Sequence, residues 1–296
     1  MHATLVREAL RVQASALRAA HLRTFEFGVF SGRSLAPNGA QVRRLVSAGP
    51  SDRRRNKSYP AIHACDTDWR KAVALLAELK TKKSASLAAF NATIQVCARS
   101  RQASKALELL RDMEDCDIKP NVITCNSVIN ACGRAKQWRP ALELLESMKG
   151  RGLQPDVVTL SAAIEAVDAA SQYQIAMDIM MDARSRGFYA KAWSKENIVD
   201  LHDCSAAASR AIIGCLLQDL RSGERVCQDI SIITGRGNHS SGGLAILPDE
   251  VRSFLLQTAG PAFTEVPRNP GKLVLADLDL REWLGRKDQT KSDLHL

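Results

Sequence analysis

The stretch Val122–Asp156, VITCNSVINACGRAKQWRPALELLESMKGRGLQPD, decides the fold, because it repeats the 35 residues that precede it. Set against Leu87–Asn121 it keeps 12 positions, among them Asn91/Asn126, Ile94/Ile129, Cys97/Cys132, Gln102/Gln137, Met113/Met148 and Pro120/Pro155. The run from Ala106 to Leu110 recurs unbroken as Ala141 to Leu145. A period of roughly 20–50 residues means a stacked solenoid, since one such unit cannot bury its apolar face alone. Within the unit, Thr124 is placed to cap a first helix running through Ala135. Pro140 suits the first turn of a second helix that buries Ala141, Leu144, Leu145 and Met148, and Gly150 and Gly152 let that helix stop. The unit is an αα-hairpin. Cys97 and Cys132 hold one recurrent position and read as small apolar packing residues. With no C-x-x-C among the eight cysteines, zinc and a disulfide framework are not expected.

The 35-residue unit resembles the pentatricopeptide repeat family over its whole length. The tetratricopeptide pattern fits worse, because Val122–Gly133 lacks that pattern's Trp, Leu-Gly and Tyr series. The expected array is residues 60–194, with clear units at 87–121 and 122–156 and degenerate ones at 60–86 and 157–191. The resemblance implies single-stranded RNA binding at one base per repeat, read by the fifth and last residues of each unit. Here these are Asn91 with Asn121, Asn126 with Asp156, and Ser161 with Lys191. Family logic assigns a pyrimidine to the first pair, U to the second and nothing to the non-standard third, so the expected partner is a pyrimidine-containing RNA site. Ala88, Ile123 and Val158 take the family's base-flanking positions. An ordinary role as caps or solvated residues at the helix start stands as the alternative for Asn91 and Asn126.

Upstream, residues 1–59 carry 11 Lys and Arg against Glu8, Glu26 and Asp52, a local charge of +8 out of +9 for the whole chain. Residues 60–195 add +4 and residues 196–296 contribute −3. An Arg-, Ala- and Ser-rich, acid-poor leader with Arg7, Arg11, Arg18 and Arg23 among its apolar positions has the make-up of an organelle transit peptide, not of a secretory signal. A disordered basic arm touching RNA is the alternative. Chloroplast targeting is expected, with the mitochondrion as the alternative. No run of about 18 uncharged apolar residues is present, so no membrane partner is expected.

Downstream of Lys195 the 3.6-residue rhythm gives way to strand-like runs, NIVDLH, DISIIT, AFTEVP and KLVLAD. Helices are expected at Ser205–Arg221 and Pro248–Thr258, and Asn269-Pro270-Gly271 is expected to separate the last two strands. The order β-α-β-α-β-β describes a small α/β sandwich over residues 195–285, followed by a tail, 286–296. The fold class is therefore multidomain: an α-solenoid followed by this sandwich. Gly235 and Gly237 flank Arg236 in a loop after a strand, where backbone and guanidinium could grip phosphate, with Thr234 beside them. Asp200 could hold a divalent cation or take a proton, and His202 or His239 could act as acid or base; capping and packing roles are the alternatives.

This block resembles the Smr family, the small MutS-related domain, through VDLHDCS (Val199–Ser205), TGRGNHS (Thr234–Ser240) and NPGKLVL (Asn269–Leu275). The resemblance implies nucleic-acid binding and, in some members, metal-dependent cleavage. Asp200, His202, Arg236 and His239 would then be catalytic, Thr234, Gly235, Arg236 and Gly237 would bind phosphate, and Mg2+ or Mn2+ would sit at Asp200. The family places Gly where this chain has Asp203. RNA binding itself would require no cofactor. The combined reading is an organellar RNA-binding protein acting in RNA processing, stability or expression, with protein partners in a processing complex. An endoribonuclease and a helical protein-interaction scaffold are the alternatives.

Overall fold

Hairpins begin where the sequence supplies a hydrogen-bond acceptor to the exposed amides of a first turn. A computed structural model describes residues 60–235, 246–267 and 269–292; the leader 1–59 and the loop holding Arg236, Gly237 and His239 lie outside the described residues. The described part falls in one unit, Gly39–Leu296. It opens with a short helix α1 (Pro60–His63) and α2 (Trp69–Thr81). Three hairpins follow, α3 (Leu87–Arg99) with α4 (Ala103–Asp115), α5 (Val122–Arg134) with α6 (Trp138–Gly150), and α7 (Val157–Asp168) with α8 (Tyr173–Ser185).

Asn121 and Asp156 cap α5 and α7, accepting from the Thr124 and Thr159 amides at 2.9 and 2.8 Å, while the Thr hydroxyls accept in return from the cap amides. Thr124, expected as the cap, is thus the buried inner partner of a capping box three residues into the chain's turn. The loops repeat as faithfully as the helices. Arg101, Lys136 and Ser171 turn left-handed at φ 57°, 57° and 56° inside each hairpin. Between hairpins the Ile118, Leu153 and Phe188 amides close back on Met113, Met148 and Ala183 carbonyls at 2.8, 2.9 and 3.0 Å.

First helices stack on first helices. A Cβ on Gly133 would stand 3.2 Å from both Cα and Cβ of Ala166, so α5 and α7 approach to backbone contact there. One apolar core runs from Ile62 through Phe90, Ile94, Val128 and Ile129 to Ala163 and Ala166. Cys97 and Cys132 lie wholly inside it, and burial pushes both thiols up to about 11. Cys204 and Cys215 are pushed to about 12 by burial likewise. Below about pH 9 folded and unfolded chains alike keep these protons; above it the unfolded chain releases protons that the folded chain retains, so stability falls as pH rises. Urea midpoints taken at about pH 7 and about pH 10.5 should show that loss, and alkylation in the native state should label exposed Cys116 well before Cys97 or Cys132.

After a 3-10 turn (Ala190–Trp193) come β1 (Ile198–Asp200), α9 (Ala206–Ser222), β2 (Ile230–Ile233), α10 (Ile246–Gln257), β3 (Thr264–Val266), β4 (Asn269–Leu275) and α11 (Asp277–Ser292). The four-stranded sheet has the order β1-β2-β4-β3, with β1 parallel to β2 and the other pairs antiparallel. Two expectations are corrected. Asn269-Pro270-Gly271 lies inside β4, because the chain reverses earlier and pairs Val266 with Asn269. The segment read as the end of the sandwich and the start of a tail is helical over Asp277–Ser292; the remainder of the tail lies outside the described residues. Asp277 and Asp279 suit its first turn, and Trp283 anchors it by donating to the Ala259 carbonyl at 2.8 Å under a stacked Arg221. Among the described residues no helix is long and apolar enough to cross a membrane.

Helix α9 packs on α8 and α7, so the sheet-bearing part is the next layer of the helical stack. Leu142, Ile164, Val167, Ala176 and Met180 share a core with Ile212, Cys215 and Leu216. Met177 lies against Gly214, where a Cβ would come within 2.7 Å of its sulfur. Arg184 pairs with Asp219 at 2.6 Å, a carboxylate only 4% exposed. Arg210 of α9 grips both oxygens of Asp168 at the end of α7 and also reaches Glu250 of α10.

Candidate nucleic-acid interface

Asn91 and Asn126 sit five residues into α3 and α5, inside the helices and not at their caps. The next cap lies opposite each one. Asn126 Nδ2 donates to Asp156 Oδ1 at 3.3 Å, and its own Oδ1 has no hydrogen-bond partner although it is buried. The amide cannot be turned over without setting two acceptors face to face, so the carbonyl is left as an unpaired acceptor. Asp156 spends one oxygen on its cap and on Asn126; among the described residues no hydrogen bond falls on the other. In the preceding pair, Asn91 Oδ1 accepts from the Thr124 hydroxyl at 2.7 Å while Asn121 caps α5 through its own oxygen, which leaves both amide NH2 groups for a ligand. Ile123 stands 53% exposed beside this row, a large aliphatic side chain in open solvent where a base-flanking residue is expected.

The third pair is arranged differently. Ser161 donates to the Val157 carbonyl at 2.7 Å and meets the Tyr189 hydroxyl at 2.7 Å. Lys191 turns the other way, into the 3-10 turn, with its ammonium 3.5 Å from Asp203. Asp203 in turn lies 3.1 Å from His202 Nε2, and Asp200 holds His202 Nδ1 at 2.6 Å. The row of repeat positions therefore leads through Tyr189 and Lys191 to the Asp200–His202 loop. Thr234 anchors the end of β2 by bonding the Gly271 carbonyl through amide and hydroxyl, at 2.9 and 3.2 Å. Gly235, left-handed at φ 78°, comes close enough that a Cβ would meet His202 Cβ at 3.3 Å. The two motifs are thus adjacent, as far as the described residues reach; Arg236, Gly237 and His239 lie outside them. Nothing in the sequence signals Tyr189, since its role depends on how the chain leaves α8.

Asp200, His202 and Asp203 form a chain of close polar contacts, a hydrogen bond from Asp200 to His202 and an ion-pair contact from His202 to Asp203, rather than a converging ligand set. Among the described residues no three His, Cys, Asp or Glu side chains are arranged to hold a metal ion. Asp200 already gives one oxygen to both the ring and the amide of His202. These residues by themselves do not fit a divalent cation.

A model of the PPR repeat family matches residues 85–132 and again 120–167, the span of α3 to α7. These are PPR repeats. The repeats resemble in solved form the pentatricopeptide repeat protein PPR10 bound to an 18-nt psaJ RNA element, with 19% identity over 86% of this chain and 31% of that one and a TM-score of 0.44. PPR10 from maize gives 17% identity over 88% of this chain and 44% of that one, with a TM-score of 0.34. Nuclear proteinaceous RNase P 2 from A. thaliana gives 14% identity over 70% of this chain and 43% of that one, with a TM-score of 0.45. The chain thus spans less than half the length of each. No curated protein matches it. Counted from Leu87, Val122 and Val157, Asn91, Asn126 and Ser161 are each the fifth residue of a 35-residue segment, and the family match ends within the third of these segments.

Proposed function

We propose that this chain binds single-stranded RNA through its PPR repeats and acts in organellar RNA processing, stability or expression. The observation that carries the reading is the recurrence, one 35-residue period apart, of Asn91 and Asn126, each facing the next repeat's cap, with the Asn91 and Asn121 amide NH2 groups and the second Asp156 oxygen unused among the described residues. A base edge supplies the matching donors and acceptors, and the exposed Ile123 can wedge against a neighbouring base. PPR10, which is bound to RNA in its crystal structure, lends the same direction to the reading. The repeat segment carries only +4, so base contacts must supply much of the affinity, and the pyrimidine preference is read from the Asn91/Asn121 and Asn126/Asp156 pairs. Fluorescence titration should show single-stranded RNA bound in preference to duplex of the same sequence, and a reporter fused behind residues 1–59 should enter the chloroplast, or failing that the mitochondrion. Equal affinity for duplex would sink the first part, and a uniformly cytosolic reporter the second.

A second reading, RNA cleavage in the Smr-like part, rests on the 2.6 Å Asp200–His202 hydrogen bond, which orients an imidazole as acid–base pairs require. Asp203 opposes it by occupying the other ring nitrogen. Asp203→Gly should therefore raise any cleavage of a pyrimidine-containing RNA, and Asp200→Asn should abolish it while RNA affinity stays within about twofold. Absence of product from wild type and Asp203→Gly, with or without Mg2+ or Mn2+, would leave binding as the function of this part.

A further inference from the structure

In the first two PPR repeats, Lys119-Pro120-Asn121 and Gln154-Pro155-Asp156 lead into the next first helix. A proline bars the residue before it from helical conformations, so both segments stay extended and deliver Asn121 and Asp156 to the cap, at φ −119° and −97°, opposite Asn91 and Asn126. The equivalent run in the third repeat is Tyr189-Ala190-Lys191, with no proline. Freed of that restriction, Tyr189 turns left-handed at φ 57°, the chain winds into the 3-10 turn, and no cap is delivered opposite Ser161. What arrives there is the Tyr189 hydroxyl. Since Ser161 already donates to the Val157 carbonyl, the phenol donates to Ser161, and the serine hydroxyl has no free hydrogen to offer a base.

We infer that Tyr189 occupies the base position of the third repeat, so that reading stops after two bases and the next nucleotide passes unread toward the Lys191–Asp203–His202 loop. The inference rests on the base-reading function proposed above and names the residue that limits its specificity. A left-handed non-glycine is strained, and it persists only where the surroundings hold it. Here the ring packs on the core formed with α9. Burial also pushes the phenol up to about 12, which keeps it a neutral donor to Ser161 at any physiological pH. Lys119 and Gln154, the counterparts of Tyr189, are both exposed, so the first two positions are not closed in this way.

The test uses the full chain and short single-stranded RNAs carrying the preferred bases for the first two repeats. The third nucleotide lies beside the base read by Asn126, on the side away from the base read by Asn91, and is varied through all four bases and an abasic site. Wild type should bind all five within about twofold, while Tyr189→Ala should spread them by about fivefold or more, the lower end of what a base-edge contact discriminates. Tyr189→Phe keeps the packed ring and frees the Ser161 hydroxyl, so it should give a smaller spread in the same order. Wild type that reads the first two bases and also discriminates at the third by fivefold or more overturns the inference and leaves base reading intact. A profile that stays flat in Tyr189→Ala overturns it equally. Discrimination at none of the three positions overturns base reading itself. The wild-type arm decides the matter even if the alanine variant folds poorly.

Discussion

Asp168→Ala should lower the stability of the folded chain by about 3 kcal/mol, the low end of the loss on breaking a buried ion pair from one side. The Asp168 side chain is 9% exposed and both its oxygens are held by Arg210, itself 20% exposed. Removing the carboxylate leaves a guanidinium in a half-dry junction with Glu250 as its remaining partner, which is why the low end applies. The consequence reaches beyond stability, because this ion pair joins the last helical hairpin to α9 and through it to the Asp200–His202 loop. The urea midpoint should fall accordingly, with the far-ultraviolet signal of the native state preserved. Replacing the pair by apolar residues, Asp168→Leu with Arg210→Met, should recover most of the loss, since well-packed apolar groups replace buried ion pairs at little cost. A loss under about 1 kcal/mol for Asp168→Ala would mean that the junction is held by its apolar contacts alone.

Asn91→Ala combined with Asn126→Ala should weaken RNA binding by about 2–6 kcal/mol, from roughly thirtyfold upward, if each asparagine contributes the discrimination typical of a base-edge contact. The same change should leave the fold almost untouched. Asn126 Oδ1 is a buried acceptor without a partner, so its removal deletes an unfavourable group, and the α7 cap persists through Thr159. At Asn91, the Thr124 hydroxyl loses one acceptor but keeps Asn121 within 3.0 Å. A structural role and a reading role therefore make opposite forecasts: the first moves the melting temperature, the second moves only affinity and base preference. Unchanged affinity against probes differing at one base would refute base reading.

Much of the array is legible because its determinants are local and periodic. Alternation of buried Ile94, Cys97, Leu109 and Met113 with solvated residues, echoed at Ile129, Cys132, Leu144 and Met148, specifies helices whose apolar faces can be covered only by a neighbouring copy. The positions proposed to read bases are legible for the same reason, since a residue five places into each first helix must recur on one side of the stack. The sheet strands are legible from their short apolar runs. Helix α11 is not, because its stripe is thin, holding Leu280 and Trp283 in the core, and the tryptophan reaches Ala259 and Arg221 far back in the chain.

By itself the sequence determined the repeat, the hairpin, the recurrent asparagines and the adjoining sheet, all of them consequences of patterns shorter than one 35-residue period. Tertiary structure alone decided that α9 is the next layer of the stack, that Asp203 lies between His202 and Lys191, and that Tyr189 closes on Ser161. The physical reason is separation along the chain. Asp168 and Arg210, or Ser161 and Tyr189, meet only after intervening helices have packed, and no periodicity links them. Even the replacement of the proline by Ala190 shows only that Tyr189 is free to turn; where its hydroxyl lands is set by the core that holds its ring.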